Sequence, residues 1–158
     1  MKIGMIGYGK AGSAVASVLQ QDPRYHLAWI ATRSGLPQVA TLGAVEVPVI
    51  ALNRATIGDW IDAHPVDALV DFSSTASVAV YGEQVKRLGL MLVTAISSYD
   101  DEQLGYIRSL GAHARVLCSP NITVGINFLI MAAKLLREIA PFADVEIVEQ
   151  HFREKPEV

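Results

Sequence analysis

Cysteine is nearly absent. Cys118 is the only one in 158 residues, so no internal disulfide can form and a reducing compartment suits the chain. Next to Val116 and Leu117, with nothing basic adjoining, it reads as a small core residue and not as a reactive thiol. Long hydrophobic runs are missing too. No stretch is long enough to span a bilayer, and the N-terminal MKIGMIGYGKAG is broken by glycines where a secretory signal needs an unbroken apolar segment. The expectation is a cytoplasmic protein with no membrane partner. Charge is scarce in both signs: 13 Lys and Arg against 16 Asp and Glu give a formal net charge of −3. That balance offers no general reason for a nucleic-acid partner, although it leaves room for a local basic pocket. No His, Cys, Asp and Glu residues show metal-ligand spacing, so no metal is expected. What remains is an apolar chain, 51% hydrophobic and 18% charged, long enough to bury a substantial core.

Short β-rich runs alternate with helical stretches. Strands are predicted over 2–6, 26–32, 45–50 (the weakest), 67–72, 90–94 and 115–118. Helices are predicted over 11–20, 56–64, from the loop after Phe72 through Leu88, and over 100–112. Strand, helix, strand, repeated, implies parallel pairing with right-handed crossovers. The fold class is therefore α/β, a Rossmann-type doubly wound parallel sheet, over residues 1–120. From about Ser119–Thr123 the pattern changes. A long helix, apolar nearly all round and hence expected to be buried, runs from near Thr123 to about Pro141, followed by a predicted strand over 144–152. Residues 121–158 are read as the beginning of a second, α+β unit.

The glycine spacing carries the first functional signal. Gly7-Tyr8-Gly9-Lys10-Ala11-Gly12 is G-x-G-x-x-G, placed directly after the first strand and opening a helix. The three glycines permit a tight turn, close approach of a pyrophosphate, and packing of helix on strand. The N–H groups of the helix start then face the anion. At the end of the second strand, where NAD-preferring sites place a carboxylate, the chain has Thr32, Arg33 and Ser34. A guanidinium and two hydroxyls suit a 2′-phosphate, so NADPH is the expected cofactor, with NADH the alternative. The loop after the fourth strand offers Phe72 to the nicotinamide side and Ser73 and Ser74 as polar contacts. The serines read equally well as caps of the helix that follows, with Ser74 or Thr75 in that role.

Three further stretches, in order, carry a family likeness: VDFSS after the fourth strand, SPNITVGIN opening the long helix, and ADVEIVEQHFREK near the end. Together they resemble dihydrodipicolinate reductase, a nicotinamide-dependent enzyme of lysine and diaminopimelate synthesis. The resemblance implies a Rossmann-type domain plus a substrate domain with tetramerising strands, and a homo-oligomer. It assigns the cofactor to Gly7–Gly12, Thr32 and Arg33, to Ala95, Ile96 and Ser97, and to Ser119, Pro120, Asn121 and Ile122, in addition to Phe72 and Ser73 of the loop already named. It makes His151 the acid that protonates the substrate and Lys155 the cation that holds it. Several positions depart from the family pattern. The phosphate loop is one residue shorter, and Ala95 and Ser98 replace both glycines of the nicotinamide loop. Phe152 replaces a histidine that binds a substrate carboxylate. Pro156-Glu157-Val158 replaces V-D-A, and the expected P-S-G-T segment does not follow, so the chain reads as shortened within the substrate domain.

Reducing a C=N or conjugated C=C bond needs a hydride and a proton, and an imidazole such as that of His151 can give the proton near neutrality. On an extended strand His151 and Lys155 share a face but stand about 13 Å apart, so the chain must bend for both to reach one small substrate. With an imidazole lost and Phe152 and Glu154 gained, the site is less cationic and more apolar than one built for a dianionic cyclic imine. The expected activity is reduction of 4-hydroxy-tetrahydrodipicolinate or of a less acidic cyclic imine. The alternative is a nucleotide-binding module without catalysis, or a truncated product of the family.

Overall fold

The computed structural model describes residues 1–148. The chain divides into two compact units, Met1–Asn121 and Ile122–Val158.

The first unit holds seven strands and four helices. The strands are β1 (Lys2–Ile6), β2 (His26–Thr32), β3 (Val39–Leu42), β4 (Val45–Ala51), β5 (Ala68–Asp71), β6 (Met91–Thr94) and β7 (Val116–Cys118). The helices are α1 (Lys10–Gln21), α2 (Ile57–Ala63), α3 (Val78–Leu88) and α4 (Asp101–Leu110). The strands form one sheet in the order β3-β4-β2-β1-β5-β6-β7. Every neighbouring pair is parallel except β3 with β4. Without the antiparallel edge strand, the parallel strands run 3-2-1-4-5-6 by position in the chain, the order of a dinucleotide-binding Rossmann fold.

The core lies on both faces of this sheet. Along β1, Ile3 and Met5 enter one cluster with Ala16 of α1 and the buried positions of β3 and β4. Ile6, on the opposite face, enters a second cluster with Ile57 and Ile61 of α2, Val78, Tyr81 and Val85 of α3, and Ile107 and Leu110 of α4. This two-sided burial is why the strands read as apolar runs and not as alternating ones. Each large side chain fully buried there contributes about 1.5–3 kcal/mol. Gly4 makes room for the indole of Trp29, since a Cβ at residue 4 would lie 2.4 Å from Trp29 Cζ2. α4 starts on a capping box, with the Asp100 side chain accepting from the Gln103 N–H and the Gln103 side chain accepting from the Asp100 N–H. α3 stops at Gly89, whose φ of 64° is left-handed.

Three expectations need correction. β3 is absent from the strands predicted by sequence; it is the outer arm of a hairpin turning at Gly43. Residues 144–148, the described part of the last predicted strand, form no strand, because a strand needs a hydrogen-bonding neighbour. The long helix α5 (Val124–Ile139) is present, but none of its residues is buried. Among the described residues its unit holds no second helix or strand that would cover it.

Candidate functional site

The parallel strands end level with one another. Ile6 stands in register with Ala31 and Asp71, Asp71 with Thr94, and Thr94 with Cys118. One more backbone hydrogen bond carries each ladder into the loop beyond. Gly7 N–H donates to Ala31 O (2.8 Å), Phe72 to Ile6 O (2.9 Å), Ala95 to Asp71 O (3.1 Å) and Ser119 to Thr94 O (3.0 Å). The loops named from sequence therefore share one edge of the sheet. Between β1 and β5 the chain leaves in opposite directions, toward β2 and toward β6, and a crevice opens there.

The glycine loop fills the β1 side of that crevice. Gly7 has φ of +89°, and a Cβ on it would lie 2.7–2.8 Å from the Phe72 and Ser73 backbone. The first turn of α1 lies against the same loop, since a Cβ on Gly12 would come within 2.4 Å of Gly7 O. Gly9 differs: a Cβ there would meet nothing within 4 Å. Gly9 is also the N-cap of α1, which has no side-chain cap and no acidic residue in its first turn. Such a helix start favours an anion.

A cleft of about 600 Å³ extends from this point toward the end of β2. It brings together Gly7, Tyr8, Gly9, Thr32, Arg33 and Ser73 from the sequence reading, with Ser34, Ser74 and Ser77 as further hydroxyls. Leu36, Pro37, Leu52 and Val80, which the sequence reading missed, supply an apolar wall. No lining residue is a carboxylate. Thr32 Oγ1 accepts from Gly35 N–H at 2.9 Å, which leaves its proton to donate. Arg33 is exposed at the rim and has no ion pair among the described residues. The N-cap of α3 is Ser77, whose side chain makes no capping hydrogen bond, so neither Ser74 nor Thr75 caps that helix. Instead the Ser74 and Ser77 hydroxyls bond each other at 3.1 Å.

The remaining expected contacts of the first unit lie along the same edge but do not line the cleft. Lys10, Ala11 and Gly12 form the start of α1. Phe72 is half-buried, Ala95 likewise, Ile96 is buried in the core and Ser97 is exposed. Ser119, Pro120 and Asn121 follow β7, where the Ser119 hydroxyl donates to Asn121 O at 2.9 Å. Ile122 belongs to the second unit. His151, Phe152 and Lys155 lie outside the described residues. Cys118 is half-buried against the core, and burial pushes its thiol up, away from a reactive thiolate.

Behind the cleft lies a polar group that the sequence reading passed over. Asp71, the last residue of β5, is fully buried. Its Oδ1 accepts from Ser73 N–H (2.8 Å) and from the Ser73 hydroxyl (2.5 Å), and its Oδ2 from the Tyr81 hydroxyl (2.6 Å). Burial raises its carboxyl above the ordinary value, against the lowering effect of these donors. Burial raises the Tyr81 hydroxyl well above its ordinary value, and the carboxylate beside it adds to that. Nearby, Tyr99 and Thr94 bond through their hydroxyls at 2.8 Å, and burial pushes Tyr99 up to about 12. The only signal for Asp71 in the sequence is a carboxylate closing an otherwise apolar run.

Residues 1–122 match the family model described as dihydrodipicolinate reductase, N-terminus. A 4-hydroxy-tetrahydrodipicolinate reductase of Methylococcus capsulatus is 29% identical, over 93% of this chain and 55% of that protein. One of Myxococcus xanthus is 33% identical, over 74% of this chain and 42% of that protein. The chain thus spans about half the length of these relatives. Among solved structures, a dipicolinate-bound dihydrodipicolinate reductase from Paenisporosarcina sp. superposes with a TM-score of 0.69 at 18% identity, covering 87% of this chain and 53% of that one. A Rex-family repressor reaches 0.58 at 13% identity, covering 87% and 60%; both likenesses concern the fold. With three-quarters of its length matched to the family model, the chain belongs to the dihydrodipicolinate reductase family.

Proposed function

We propose that this chain carries the cofactor-binding part of an NADPH-preferring reductase of a small cyclic imine. The observation that carries this is the crevice between β1 and β5. It combines a glycine loop, an uncapped helix start, and a β2 end that offers Arg33, Thr32 and Ser34 with no carboxylate. The space in front of Gly9 and the close packing at Gly7 and Gly12 fit a dinucleotide. When bound, a dihydronicotinamide supplies hydride to a C=N or conjugated C=C bond. The backbone of Gly7–Gly12 holds the pyrophosphate through N–H groups, and Arg33, with the hydroxyls of Thr32 and Ser34, holds the 2′-phosphate. Phe72, Ser73, Ala95, Ile96, Ser97 and residues 119–122 border the nicotinamide side. His151 gives the proton and Lys155 holds an anionic group of the substrate. Residues 121–158 begin a substrate and oligomerisation domain. The partner is a small molecule, with no nucleic acid.

Phe152 makes the substrate site more apolar, so a cyclic imine less acidic than 4-hydroxy-tetrahydrodipicolinate is the preferred substrate. Steady-state NADPH oxidation decides this. Turnover should be faster with the less acidic imine; a rate on 4-hydroxy-tetrahydrodipicolinate equal to that of the family's ordinary enzymes refutes the reading of Phe152. Tight NADPH binding without turnover on any imine points instead to a nucleotide-binding module.

A further inference from the structure

The buried Asp71 is more than a satisfied core carboxylate, because of what its hydrogen bonds join. Tyr81 sits in the first turn of α3, Asp71 ends β5, and Ser73 lies in the loop between them. The loop is therefore tied across its base by one side chain. Ser73 is in turn pressed against the phosphate loop, since a Cβ on Gly7 would stand 2.7 Å from Ser73 Cα. Ser73, Ser74, Ala76 and Ser77 all line the cleft. A continuous path thus runs from Tyr81 through Asp71 to Ser73 and on to Gly7.

The donors that surround this place suit a carboxylate. Three donors converge on two oxygens, one of which takes two of them. Asparagine can present only one oxygen, and its amide nitrogen could meet the Tyr81 hydroxyl only as a donor, reversing that hydrogen bond. Among the described residues no cation pairs with Asp71. Burying an anion without one is costly, and the donors of Ser73 and Tyr81 offset that cost.

Given the reading of the cleft as a dinucleotide site, we propose that Asp71 is its positioning residue. By gripping Ser73 while held by Tyr81, it sets the loop over residues 72–77 against Gly7 and so fixes the geometry in which the cleft receives its ligand. Tyr81 is fully buried and does not line the cleft; any effect it has on binding must pass through Asp71.

The test is a set of NADPH and NADH titrations on the full chain, three single variants and one double variant, with thermal unfolding measured without ligand. Tyr81→Phe removes one hydroxyl, whose hydrogen bond goes to Asp71, and it should weaken NADPH binding by roughly 5- to 20-fold, less than the full loss of a hydrogen bond to a charged group because the effect reaches the ligand indirectly. Asp71→Asn should show a loss at least as large, and serves if Tyr81→Phe does not fold. In a Ser73→Ala background the effect of Tyr81→Phe should shrink, because part of the connection is already cut. Wild-type affinity in Tyr81→Phe or Asp71→Asn, whatever the melting temperature does, overturns the assignment. So does an undiminished Tyr81→Phe effect in the Ser73→Ala background. If the unaltered chain binds neither NADPH nor NADH, the reading of the cleft fails and the assignment falls with it.

Discussion

Gly9→Ala separates binding from folding. Gly9 has φ of −78° and ψ of −165°, a conformation open to any residue. The added methyl would meet nothing within 4 Å. Replacing Gly by Ala at an N-cap costs about 0.5–1 kcal/mol, equivalent to about 2–4 °C in melting temperature for a domain of this size. The open space in front of Gly9 is the cleft itself, where a pyrophosphate must come close to the backbone. A methyl group there holds the phosphate off the N–H groups of α1. Losing one hydrogen bond to a charged group costs about 1.5–3 kcal/mol, which predicts a rise in the NADPH Kd of about 10- to 150-fold. Fluorescence titration and thermal unfolding on the same preparations read both quantities. An unchanged Kd refutes the placement of the phosphates; a collapsed fold refutes the claim that the space at Gly9 is empty.

Gly12→Ala should behave in the opposite way. Its Cβ would be driven onto Gly7 O, so stability should fall by about 1–3 kcal/mol, and an unchanged melt contradicts that. Arg33→Ala should weaken NADPH by about tenfold or more and NADH hardly at all; equal losses rule out the 2′-phosphate contact. Asp100→Ala removes the cap of α4 and should cost about 1 kcal/mol with no change in dinucleotide affinity. The raised carboxyl of Asp71 sets a sign for pH dependence. Folding favours its protonated form, so its contribution to stability grows as pH falls from neutral through the raised value, and levels off below the unfolded value of 3.8. Asp71→Asn should lose that component. Identical pH profiles of melting temperature for the variant and the parent chain would contradict it.

The phosphate loop is legible in the sequence because its requirements are local: three glycines, a strand before them and a helix after. The parallel sheet is legible for a similar reason, since strands buried on both faces are apolar throughout. β3 is not. Only Ala40 and Leu42 of its four residues are buried, and its partner is set by a turn at Gly43 that resembles any surface loop. The apolar wall of the cleft is beyond reach too. Leu36, Leu52 and Val80 come from three separate parts of the chain that meet only once the strand order is known. α5 reads correctly as a helix, while among the described residues none of it is buried, because an all-round apolar surface states what a helix needs and not what the chain around it provides. Asp71 escapes notice because a carboxylate at a strand end looks like a boundary until Tyr81, ten residues later, is seen to reach it.

The most direct test is a titration of the purified chain with NADPH and with NADH under identical salt and pH. Both should bind, NADPH tighter by about tenfold or more on the strength of a charge-assisted contact to Arg33. No binding of either, or tighter binding of NADH, would contradict the assignment of the cleft between β1 and β5.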